Sequence, residues 1–151
     1  MNESKFLTDS RNLNIAIILL FILYIIWFIG GLLYASLGTF MPYHNEFTGL
    51  SESKVRNYNS ELMILIGVFI RLIGFLYLNY AISNLYILFI GFRKKEKWAW
   101  IITLISGVVF FIPHLLITYV VLGLNINYIG FIICTIAWIF SLGISYKEFF
   151  K

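Results

Sequence analysis

The chain has 151 residues, 61% of them hydrophobic and 12% charged, with a net charge of +4 and a mean hydropathy of +0.91. Soluble globular domains carry about a quarter charged residues, so this composition excludes an ordinary soluble fold and points to a single membrane domain. All basic residues but Arg71 sit in the short segments that flank the apolar runs, not along one stripe, which removes nucleic acid from the expected partners.

The first apolar run, residues 13–35, exceeds the ~7–15 residues of a signal-peptide core and has no small-residue cleavage site after it, so it reads as a retained span. Residues 36–60 form the longest connection. Within it "MPYHNEFTGL" holds the turn formers Pro42, Asn45 and Gly49, and Ser51 is placed to cap a short helix. Three further runs follow at 62–90, 98–122 and 128–146, each near or above the ~20 residues that cross a hydrocarbon core. The predicted fold class is therefore all-α, an integral membrane four-helix bundle spanning residues 1–151 as one polytopic domain.

Lys5, Arg11, Arg93, Lys94, Lys95, Lys97, Lys147 and Lys151 fall on one side of this arrangement, against Lys54 and Arg56 on the other. The positive-inside rule then predicts both termini in the cytoplasm, the long connection outside, and a plasma-membrane location. Cys134 is the only cysteine, so neither an internal disulfide nor a C-x-x-C redox pair exists.

Lipid gives Leu no reason to leave it, so small and polar residues mark the inner faces of membrane helices. In the second span Gly67, Gly74 and Ala81 recur every seven residues, with Arg71 four after the first and three before the second. Gly31 in the first span and Gly107 in the third extend the same packing pattern. Arg71 is the notable residue, because a guanidinium near mid-bilayer costs roughly 2.5–3.5 kcal/mol and calls for a partner or a polar cavity. Counting the helical rise places Arg71 and His114 in the outer half of the bilayer, on inward faces. Arg71 and His114 thus form the expected ligand-binding site, with Glu61 as a charge partner and with Tyr43 and His44 on a covering loop. The two histidines and Glu61 lack zinc-site spacing, and there is no phosphate-binding loop or nucleophile elbow, so no metal, cofactor or catalytic residue is expected.

The segments "MPYH", "TGLS", "RLIG" and "GFRKKEKWAW" together resemble a widespread group of small four-helix membrane proteins of bacteria and archaea. That group has a proline-tyrosine-histidine outer loop, an arginine-bearing second helix and a basic turn of the type F-R-x-x-E-x-W-A. The resemblance falls on Pro42, Tyr43, His44, Arg71, Gly74, Arg93, Glu96 and Trp98; it implies the four-span topology and carries no activity with it. The expected function is binding of a lipid-like or amphipathic molecule in an outer-leaflet pocket, membrane lipid being the constant partner. The alternatives are a structural subunit of a homo-oligomer or larger membrane complex, and a lipid-modifying or isomerising enzyme using His114 as acid-base and Arg71 as stabiliser.

Overall fold

The computed structural model describes residues 8–151, and every regular element in it is helical. Lys5, counted above on the basic side, lies outside the described residues. Helix α1, Arg11–Leu37, starts at Ser10, whose hydroxyl accepts from the Leu13 N–H, and ends at Gly38 in the left-handed conformation (φ 56°). Two short helices follow, α2 over Pro42–Thr48 and α3 over Glu52–Tyr58. Two of the three turn formers are the boundaries of a helix and Asn45 lies inside it: Pro42 opens α2 where its missing N–H does no harm, and Gly49 closes it at φ 66°. Ser51 caps α3 by accepting from the Lys54 N–H.

Helix α4, Ser60–Ile87, is capped by the Asn59 side chain and runs directly into a π-helical turn over Leu88–Phe92. Helices α5, Lys97–Leu122, and α6, Ile126–Phe150, form a hairpin joined by Gly123. Four helical stretches are long and apolar enough to cross a membrane: Arg11–Leu37, Ser60–Phe92, Lys97–Val121 and Ile126–Phe150. They overrun the apolar runs at most ends, because capping residues such as Asn59 and Asn125 lie in the polar flanks and nucleate helix there.

Helix α1 is the central element, packed between α4 and α6, while α5 rests on α6 and on the π-helical turn. The α1–α4 seam is built from glycines. A Cβ on Gly74 would stand 2.8 Å from the Gly31 carbonyl oxygen, and one on Gly67 would stand 2.7 Å from that of Gly38. Ala81 continues the seam fully buried. In the α5–α6 seam Gly107 makes room for the Trp138 indole, whose Nε1 donates to the Thr103 carbonyl at 3.2 Å.

At one end of the bundle Glu148 ties three segments together, accepting from Ser10 Oγ and from Lys95 Nζ, each at 2.8 Å. The start of α1, the turn before α5 and the end of α6 therefore share that end. Helices α4 and α5 meet at the same end through the π-helical turn, and Ser106 Oγ donates to Asn84 Oδ1 at 2.8 Å across them. Farther along, side chains bridge them, Tyr80 stacking on Phe110 with centroids 3.8 Å apart, but the backbones stand apart and a groove lies between them.

Candidate ligand-binding site

The groove holds a cavity of about 900 Å³ walled by α4 and α5, with α2 over its mouth. Its lining carries Tyr34, Tyr43 and His44 at the mouth, Tyr77 and His114 midway and Asn84 with Ser106 at the base, together with the polar side chains of Asn79, Tyr80, Ser83, Thr118 and Asn127. Seven residues separate Tyr77 from Asn84, about 10 Å along the helix. Most of the remaining wall is apolar, and Leu76, Val109 and Ile117, all more than half exposed, form its open rim. No Asp, Glu, Lys or Arg side chain is among the lining residues.

At the middle level, His114 Nδ1 lies 2.9 Å from the Phe110 carbonyl and Nε2 lies 2.9 Å from the Tyr77 hydroxyl. A carbonyl only accepts, so Nδ1 carries the proton. With no carboxylate in the lining to balance an imidazolium, the ring is neutral and Nε2 accepts from the Tyr77 O–H. Stacking on Phe110 and Phe131, with centroids 4.6 and 5.6 Å away, holds the imidazole plane. Pro113 adds a further effect: it has no N–H to give the Val109 carbonyl one turn earlier, and Val109 also lines the cavity.

At the mouth, Tyr43 and Tyr34 share a hydrogen bond between their hydroxyls, which fastens α2 to α1. Burial, and next the Tyr34 hydroxyl, raise the Tyr43 phenol from its ordinary value. His44 occupies the third position of α2 and its Nδ1 accepts from the Met41 N–H at 2.9 Å, closing a capping box. Burial lowers the His44 pKa from its ordinary value, which favours a neutral ring with a free Nε2–H.

The structure thus brings three expected site residues, His114, His44 and Tyr43, to one cavity and leaves two outside it. Arg71 does not point into the bundle. It is exposed, its neighbour Ile70 is 4% exposed, and its guanidinium lies over Gly38, where a Cβ would come within 2.8 Å of Arg71 Cζ. The charge therefore sits by the carbonyl end of α1, where the helix dipole favours a cation. Glu61 is exposed in the first turn of α4, ten residues or about 15 Å along the helix from Arg71. Among the described residues the ion pairs are Arg56–Glu52 and Lys95–Glu148, so the expected Arg71–Glu61 pair is not formed. No group of three His, Cys, Asp or Glu side chains suited to a metal occurs among the described residues.

The sequence reading missed Tyr34, Tyr77, Asn84 and Ser106. Two of them had a signal in the spacing, since Tyr77 and Asn84 continue the inward series of Gly67, Gly74 and Ala81 at intervals of three and four. No known protein family, curated protein or solved structure matches the chain, so the geometry of this cavity carries the functional reading.

Proposed function

We propose that the protein binds a neutral amphipathic molecule in the groove between α4 and α5, with α2 as its lid. The supporting observation is the cavity itself: about 900 Å³, apolar along its walls, with uncharged polar groups at intervals. Small-molecule sites have this volume and this mixture of many apolar and few polar groups. An anionic head would meet no cation in this lining and would bear an uncompensated desolvation penalty. The test is to purify the protein in gentle detergent and identify retained small molecules by mass spectrometry. Val109→Trp, which fills the groove from its rim, should lose a neutral lipid that Leu72→Trp, on an exposed face away from the groove, retains. The same bound complement in both variants would refute the reading.

In this reading both termini and the Lys94–Lys95 turn face the cytoplasm and α2 faces outward. The basic residues gathered at the Glu148 end support that orientation. On a Cys134→Ser background, Ser53→Cys should react with an impermeant maleimide on intact cells and Lys94→Cys only after permeabilisation; the reverse pattern would invert the topology. The second reading, a subunit of a larger membrane complex, is favoured by one observation, that α5 is the least buried of the four long helices. The same mass-spectrometry experiment separates them, since a retained partner chain in place of a small molecule supports the second.

A further inference from the structure

We infer that the middle of this cavity is built to accept a hydrogen bond, so that its ligand carries a hydroxyl or another donating head there and not a bare carbonyl or ether; this rests on the binding reading above. The argument is one of proton bookkeeping. The Phe110 carbonyl fixes the proton on His114 Nδ1, so Nε2 takes the Tyr77 proton. The phenol of Tyr77 then has no proton left for a ligand and offers the cavity only oxygen lone pairs. A second group has the same sense. Pro113 deprives the Val109 carbonyl of its helical donor, and Val109 shares the cavity wall with Tyr77 and His114. The Tyr77 oxygen, held against α5 by His114, and the Val109 carbonyl are the two acceptors offered to a hydroxyl at this level. At the base the polar groups are engaged with each other: Ser106 Oγ donates to Asn84 Oδ1 at 2.8 Å, and Asn84 Nδ2 donates to the Tyr80 carbonyl at 2.9 Å. The hydroxyl seat is placed at the Tyr77 level because there both nitrogens of His114 are engaged and the phenol proton is committed. An acceptor-only head placed there would set its lone pairs against those of the Tyr77 oxygen.

A matched pair of probes tests this: a long-chain alcohol with a diazirine beside its hydroxyl, and the methyl ether of the same molecule. Wild-type protein in lipid nanodiscs should capture the alcohol saturably on light exposure, with labelled residues mapping near Tyr77 and Val109. The ether should need about fivefold or more higher concentration for equal capture, as befits one hydrogen bond. Tyr77→Phe should bring the ratio toward one. His114→Phe keeps a ring between Phe110 and Phe131 but frees the Tyr77 proton to donate, and should narrow or reverse the ratio; a purely structural role for His114 would leave it unchanged. Because the first comparison uses only the wild-type chain, a misfolded variant does not decide the matter. Equal saturable capture of alcohol and ether would overturn the donor-head inference while leaving the binding reading standing. No saturable capture of either probe would overturn both. An unaltered preference in a monodisperse His114→Phe protein would overturn the role given to His114.

Discussion

Gly74→Ala is expected to destabilise the protein by on the order of 2–3 kcal/mol, whereas Gly30→Ala should leave it unchanged or raise its stability by about 0.5–1 kcal/mol. The added methyl at Gly74 would meet the backbone of Ala35 and stand 2.8 Å from both Ala35 Cα and the Gly31 carbonyl oxygen. Backbone atoms have no rotamer to turn away, so α1 and α4 must separate along the seam where they pack most extensively. At Gly30, one residue from Gly31, an added Cβ has nothing within 4 Å, and only the better helix propensity of alanine is felt. Thermal unfolding of the two variants in one detergent checks this. Equal transition temperatures would mean that α1 and α4 do not approach as closely as the structure places them.

Trp27→Ala should produce the next largest loss, and Trp27→Phe very little. Trp27 is 7% exposed and its ring meets Tyr77, Phe110 and Phe131 at centroid distances of 5.2, 4.8 and 5.1 Å. In water-soluble cores such truncations cost about 3–5 kcal/mol. Part of that is transfer from water, which falls away where the alternative environment is lipid. The lost packing remains, at about 2–3 kcal/mol. The indole Nε1 is buried without a hydrogen-bond partner among the described residues, so Phe removes an unsatisfied donor along with some volume, and the two changes offset. A large loss in Trp27→Phe, measured by the same unfolding assay, would show that Nε1 has an acceptor after all.

The long helices were legible in the sequence because ~20-residue apolar runs bounded by Asn, Ser and Gly caps have few other solutions. The seam glycines were legible as well, since a spacing of seven keeps Gly67 and Gly74 on one face. Arg71 shows where that reasoning loses its grip. Ile70 and Arg71 stand symmetrically about the Gly67–Gly74 line, each about 50° to one side at ~100° per residue. Spacing alone does not choose between them. Packing does: the seam takes Ile70, and the longer, charged side chain takes the flank by the end of α1. The cavity was legible only in part. His114 is legible as an inward-facing imidazole in the outer half of its span, but Tyr34 and Tyr77 are two among ten tyrosines, and nothing in a linear sequence shows that α4 and α5 diverge after their shared turn.

That divergence sets the reference state from which a ligand would be drawn. The rim of the groove is formed by Leu76, Val109 and Ile117, side chains that face hydrocarbon once the four helices cross a membrane. A molecule entering there comes from the bilayer and not from water. Lengthening its tail then adds almost nothing to its affinity, because the tail leaves one apolar medium for another. Occupancy of the proposed site would follow the mole fraction of the molecule among competing lipids, and discrimination would rest on the few polar atoms that bulk lipid cannot offer in the same geometry.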